Sequence, residues 1–245
     1  MLYSSIFSRK SVRKYDAEPL TDSALSDVGD FLARVEPLTD GGAVTFRLLS
    51  SGEVSTGLGF KAPHYMLACA DDLVFSLENA GYILQHLSLY MTESGIGSCF
   101  TGMAKPHKSI TGELAAPPAI LLAFGKPAVP MRRSDTSEFK RRKLDDILEG
   151  PYFSELVEPV RFAPSAVNSQ PWFFVDNNGA LDVYRRRPGG LTASVLDRAN
   201  RIDMGIALCH LRLSAERLGK KIKIEPGCGG TQRKALIPVA RVTVL

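Results

Sequence analysis

The stretch Asn79–Gly95, NAGYILQHLSLYMTESG, decides the reading of the fold, because it returns as Asp203–Gly219, DMGIALCHLRLSAERLG. Gly81 falls over Gly205, His86 over His210, Leu87 over Leu211, Leu89 over Leu213 and Gly95 over Gly219, at the single offset 205 − 81 = 124. Both segments read as helices of matching length that end at a glycine able to cap them. Their apolar breadth implies burial on several sides. Two apolar helices can look alike by chance. The shared glycine, histidine and terminal glycine at one register argue instead for a repeated unit.

Other echoes lie around this pair. Val35-Glu36-Pro37 recurs as Val157-Glu158-Pro159, each at the end of a predicted helix. A strand-like run follows each long helix: Ala119–Phe124, AILLAF, and Ala235–Leu245, ALIPVARVTVL. The chain therefore reads as two related halves, 1–130 and 131–245. Helices are predicted near 3–8, 21–34, 75–94, 152–160 and 201–218, the second N-capped by Asp22. Strands are predicted near 43–50, 64–70, 118–124, 171–176, 180–185 and 235–244. Helix and strand do not alternate cleanly, which favours an α+β fold over a doubly wound parallel sheet. No Gly-x-Gly-x-x-Gly follows a strand, so the dinucleotide fingerprint is absent.

Composition narrows the classes. The chain has 245 residues, 44% hydrophobic and 23% charged, ordinary values for a globular protein. The formal charge of +4 suits an anionic ligand without demanding nucleic acid. No apolar run reaches the roughly 20 residues needed to span a membrane. The N-terminus lacks the basic-then-apolar pattern of a signal peptide, so a cytoplasmic protein is expected. Cys69, Cys99, Cys209 and Cys228 have no CxxC spacing and read as reduced, structural thiols. The four histidines form no metal-binding pattern, and no metal is expected.

Four stretches could carry chemistry. Arg161–Trp172, RFAPSAVNSQPW, sets Ser165, Asn168 and Gln170 in a loop stiffened by Pro164 and Pro171. Such groups can hydrogen-bond a flat, heteroatom-edged ring or an attached polyol. Trp172 opens a hydrophobic strand and reads as a core anchor. Ser8–Arg13, SRKSVR, groups three cations and two hydroxyls that suit phosphate oxygens, or else form a solvated turn. Ser94–Phe100, SGIGSCF, is a glycine turn that lets a planar ligand approach backbone N–H groups. Met131–Lys143, MRRSDTSEFKRRK, is a basic linker, one or two of whose cations could reach an anion. No triad or carboxylate pair stands out, so no catalytic side chain is assigned.

Together these stretches resemble the nitroreductase family of flavin enzymes. SRKSVRKYDAEPL resembles its Arg-x-Ser-x-Arg segment, and APSAVNSQPWFFV its Pro-Ser-x-x-Asn-x-Gln-Pro-Trp motif. SGIGSCF resembles its Gly-Leu-Gly-Ser-Cys-Trp turn, with Ile96 and Phe100 substituted. AILLAFGKP followed by basic residues resembles its C-terminal strand and Arg/Lys run. The order departs from the family's. Each half lacks what the other keeps, so the chain is similar to a single-chain version of the family dimer. The resemblance implies a nitroreductase-like α+β fold whose two pseudo-symmetric halves mimic that dimer. It implies one complete FMN site, a dead twin site and a monomer.

Carried over residue by residue, the resemblance implies that Arg9 and Arg13 face the FMN phosphate or ring edge, beside Lys10 and Ser11. Pro164, Ser165, Ala166 and Asn168 would line the ring and ribityl chain, with Gln170 in the same motif. Ile96 and Gly97 would bring backbone near N5. One of Arg141 and Arg142 would meet the phosphate, and Lys61 is a weak candidate for the pyrimidine edge. The implied activity is ping-pong hydride transfer from NAD(P)H to a small nitroaromatic or quinone-like acceptor. The alternative is a flavin-binding protein without NAD(P)H turnover, for carriage, sensing or specialised chemistry. A nucleic-acid module would rest on the basic run alone, which interleaves no aromatic beyond Phe139.

Overall fold

The computed structural model describes residues 2–57, 59–73, 75–190, 193–227 and 233–245. Six α-helices are described: α1 (Leu2–Ser5), α2 (Asp22–Ala33), α3 (Ser76–Glu93), α4 (Lys108–Thr111), α5 (Ser154–Val157) and α6 (Ala193–Arg217). The strands in chain order are β1 (Val44–Ser50), β2 (Val54–Ser55), β3 (His64–Ala70), β4 (Gly97–Thr101), β5 (Lys105–Pro106) and β6 (Pro118–Gly125). They continue with β7 (Leu148–Glu149), β8 (Trp172–Asn177), β9 (Ala180–Arg186), β10 (Ile222–Pro226) and β11 (Leu236–Val244).

The mixed α+β class expected from the sequence is the class observed. One sheet runs β1-β3-β6-β4 and is antiparallel throughout. A second runs β10-β11-β9-β8-β7, with β7 alone parallel to its neighbour. Leaving β7 aside, both sheets set their first, second, fourth and third strands side by side. In each, the long helix joins the second strand to the third. Those helices, α3 and α6, are the two segments the sequence sets over each other.

The helices pack closely because their glycines permit it. A Cβ on Gly81 would lie 2.0 Å from the Ile202 carbonyl oxygen, and one on Gly205 would lie 1.8 Å from that of Glu78. The contacts are reciprocal: Ile202 and Glu78 are themselves 202 − 78 = 124 residues apart, the offset of the glycines. Around this crossing lies a core with Leu77, Leu89, Met204, Leu208 and Leu211, reaching Trp172 and Phe174 of β8. Each such side chain contributes roughly 1.5–3 kcal/mol on burial. Trp172 is fully buried, as its place at the head of a hydrophobic strand implies.

The structure corrects some local readings. Thr21, not Asp22, is the N-cap of α2; its hydroxyl accepts from Ala24 N–H at 3.3 Å. α6 begins eight residues before the predicted 201. Its first turns are polar, without apolar periodicity, and are held by the pairs Arg185–Asp197 and Arg198–Asp72. SGIGSCF is only partly a turn. Gly95 takes φ +77° after the helix, and Gly97 then opens β4. β10 was not predicted; Ile222 and Ile224 point inward, but Lys223 and Glu225 between them dilute so short a strand. Cys69, Cys99 and Cys209 are buried and free, and Cys228 lies outside the described residues. Among the described residues no helix is long and apolar enough to cross a membrane.

Candidate functional site

The basic N-terminal stretch becomes a strap. Lys10 N–H donates to Met131 O at 3.2 Å, and Arg133 N–H to Ser8 O at 2.7 Å. On the other side Ser11 pairs with Ser98 of β4, and Val12 N–H donates to Ser98 O at 3.0 Å. The strap is thus fixed between the 131–133 segment and the first sheet. Gly97 allows that approach: a Cβ there would meet the Val12 side chain at 3.0 Å.

Fixing the strap buries Arg9. Its residue is 2% exposed, and Nη1 has no partner. Nη2 reaches Ser11 Oγ at 3.5 Å. Burial, with Arg133, Arg141 and Arg13 nearby, pushes the guanidinium down to about 10. Arg141 is pushed to about 10 by burial and by Arg133, and its Nε is also unpartnered. Among the described residues no carboxylate pairs with Arg9, Arg133 or Arg141. Both Arg133 and Arg141 lie over the Phe139 ring, at 4.0 and 5.5 Å from its centroid.

The proline-framed loop faces this cluster. Arg141 Nη1 donates to Asn168 Oδ1 at 2.6 Å, and Asn168 Nδ2 to Lys140 O at 3.0 Å. Gln170, 6% exposed, braces the loop from behind: its Oε1 accepts Arg142 N–H at 2.8 Å, and its own N–H donates to Ser165 Oγ at 2.9 Å. Val167, Asn168 and Gln170 take positive φ of 47°, 56° and 47°. For a β-branched residue this is a strained backbone, of a kind that clusters at functional sites. Ala166 N–H is held by the buried carboxyl of Asp203. Farther back, His210 bridges Pro159 O and Gln85 at 3.0 and 2.8 Å, and burial pushes it down to about 3, keeping it neutral.

Between strap and loop opens a cavity of about 480 Å³. Of the predicted residues, Arg9, Lys10, Ser11, Arg13, Arg141, Pro164, Ser165 and Asn168 line it. Ala166 and Gln170 support the lining from behind. Arg142 and Lys61 are exposed residues outside its lining. Ile96 packs into the core against α3 and borders a different cavity, with Leu20 and Tyr90. Gly97 lies under Val12. Arg133 and Lys140, which the sequence leaves unassigned within the basic run, also line the cavity; Glu138 and Val167 in the lining, and Asp203 beneath it, are not anticipated by the sequence. Asp203 alone had a visible signal, since it heads the repeated segment opposite Asn79. Among the described residues no group of three or more His, Cys, Asp or Glu could hold a metal.

An uncompensated buried guanidinium costs several kcal/mol unless an anion completes it. The cavity thus has the charge to suit an anion, and its polar loop has the groups to suit a heteroatom-rich body attached to that charge.

A family model described as "Putative TM nitroreductase" matches residues 1–215. No curated protein matches the chain. Among solved structures, one described as a putative nitroreductase from Thermotoga maritima MSB8 is 21% identical. The match covers 99% of this chain and 93% of that one, with a TM-score of 0.67. At that identity the likeness shows the fold. A nitroreductase with bound FMN from Desulfitobacterium hafniense DCB-2 is 15% identical over 58% of this chain and 98% of its own, with a TM-score of 0.46.

Proposed function

The chain belongs to the Putative TM nitroreductase family, and on that premise we propose that it is an FMN-dependent oxidoreductase. Its hydride donor would be NADH or NADPH, and its acceptor a small nitroaromatic or quinone-like molecule. The observation that carries the reading is the pair formed by buried Arg9 and half-buried Arg141, which line one cavity, have no carboxylate partner among the described residues, and each keep one buried guanidinium nitrogen unpartnered. A phosphate dianion supplies the charge those groups lack. When bound, FMN supplies the hydride-transfer chemistry. Arg9 and Arg141 would hold its phosphate, assisted by Lys10 and Ser11. Pro164, Ser165 and Asn168 would line the ring and ribityl chain. Asn168 is pre-aimed by Arg141 and Lys140, which lowers the entropy cost of binding. Of the two arginines the sequence left open, Arg141 is the one in the cavity.

The same reading makes the chain an internal pair, 1–130 and 131–245, acting as one monomeric unit. The matched strand orders and the reciprocal glycine contacts support it. So does the placing of the cavity, between a strap from the first half and a loop from the second. The connection crosses over between Arg133, beside the strap, and β7, on the second sheet.

The test is the visible spectrum of the freshly purified protein, repeated without air after adding NADH or NADPH. A flavin band that bleaches supports both cofactor and donor. A band that persists favours the flavin-binding alternative without NAD(P)H turnover. No band, with no uptake of added FMN, overturns the proposal.

A further inference from the structure

Beneath the loop that lines the cavity lies a carboxyl group with no paired cation among the described residues. Asp203 of α6 is 4% exposed. Ala166 N–H is directed at both its oxygens, at 3.1 Å each. Ser169 also hydrogen-bonds the carboxyl, while its hydroxyl donates to Asn200 Oδ1 at 3.1 Å. The charges on neighbouring elements are engaged elsewhere. Arg201 of α6 pairs with Glu78 of α3 at 3.0 Å, and Arg141 is bonded to Asn168. Arg185 and Arg198 take Asp197 and Asp72.

A hydroxyl has one proton to give. While Ser169 gives its proton to Asn200, it cannot also give it to Asp203, and the Ala166 N–H is then the one donor left to an ionised carboxyl among the described residues. Once Asp203 ionises, Ser169 must turn toward it and abandon Asn200. The charge is then buried with no cation to pair it among the described residues, which is costly. Opening the loop to water relieves both. Burial pushes the carboxyl up to about 8, in keeping with a group that resists ionising where it sits.

The residue at the same place in the repeat makes the contrast. Asn79 accepts from Leu38 N–H and Thr39 N–H at 2.9 and 3.3 Å and donates to Thr39, Gly41 and Gly42 oxygens at 3.1, 2.9 and 3.2 Å. A carboxamide does this at any ordinary pH.

We propose that Asp203 is the positioning residue of the cavity-lining loop 165–169: as a neutral acid it holds the loop closed, and on losing its proton it lets the loop open. Its bearing on FMN rests on the function proposed above; the loop behaviour does not. The closed loop binds the proton more tightly than the open one. Closure is therefore fully present below the ordinary carboxylate range of about 4 and weakens as pH rises towards about 8, where the dependence levels off.

The experiment is amide hydrogen exchange on the full chain without cofactor, from about pH 5 to about pH 8, corrected for the intrinsic pH dependence of exchange. Protection of segment 165–170 is expected to fall by up to about tenfold per pH unit. Segment 38–42, held by Asn79, is expected to stay level in the same sample. Asp203→Asn should flatten the first segment, and Asn79→Asp should give the second a slope. A level response at 165–170 in the native chain, equal slopes in both segments, or a slope that survives Asp203→Asn overturns the proposal. The native comparison decides even if a variant fails to fold. Repeating it with added FMN separates the two ideas: a slope without FMN uptake leaves the loop device standing and removes the cofactor, and FMN uptake without a slope does the reverse.

Discussion

Two loops, 38–42 and 165–169, each precede the first long strand of a sheet, and each is grasped by the residue 124 positions apart on a long helix, Asn79 or Asp203 (203 − 79 = 124). What differs is how much of the loop is consumed. Asn79, with donors and an acceptor, draws in two N–H groups and three carbonyls of the first loop. That loop is closed upon its helix. Asp203 takes one N–H and the Ser169 hydroxyl. Ser165 and Asn168 are left facing the cavity, opposite Arg9. The first loop spends its polar groups on its helix; the second is held largely by the 140–142 segment and by its own residues, and so presents Ser165 and Asn168 to the cavity.

The comparison presumes that α3 and α6 are counterparts, and the largest expected effect tests that. Gly205→Ala would drive a Cβ to 1.8 Å from the Glu78 carbonyl oxygen, and Gly81→Ala would drive one to 2.0 Å from that of Ile202. Neither backbone can yield without separating the helices. Each change should cost at least about 3 kcal/mol in denaturant unfolding. If one costs that much and its partner almost nothing, the helices are not equivalent.

Next in size is the anion site across from the open loop. Arg9→Met removes a buried, unpaired charge, so the cofactor-free chain should lose no stability. FMN binding should weaken by about 2–4 kcal/mol, roughly 30- to 1,000-fold, measured by flavin fluorescence titration. Unchanged FMN affinity would move the phosphate away from Arg9.

Much of this contrast was legible in the sequence. The helices, the glycine register and the strand runs follow from apolar periodicity, which burial enforces. Arg9, Ser11, Arg141, Ser165 and Asn168 announce themselves because cations and directed polar groups cluster where a plain turn needs none. Arg133 did not stand out from a run of basic residues, because its burial depends on the strap pairing with 131–133, a long-range contact. Gly97 suggested an open backbone, but Val12 covers it. Asp203 sat in view at the head of the repeat. Its meaning lay in the lack of a neighbouring cation, which only packing reveals.

The smallest expected effect concerns how each loop meets its demand for left-handed backbone. In the closed loop glycine meets it: Gly42 has φ +82°. In the open loop Val167 takes φ 47°, with its side chain 83% exposed at the cavity rim. A left-handed conformation costs an L-residue roughly 1–2 kcal/mol, and a β-branched one no less. Glycine would remove that cost while adding about 0.5–1 kcal/mol of unfolded-chain entropy. Val167→Gly should therefore raise the stability of the cofactor-free chain by about 0.5 kcal/mol, a shift of about 1–2 °C in thermal midpoint. No core contact opposes the gain, since the side chain lies in solvent. The valine packs into no core and lies at the cavity rim, so the same variant should weaken binding of a flat ligand there. A variant that is no more stable than the native chain would mean that the open loop holds no strain, and that its difference from the closed loop lies in hydrogen bonding alone.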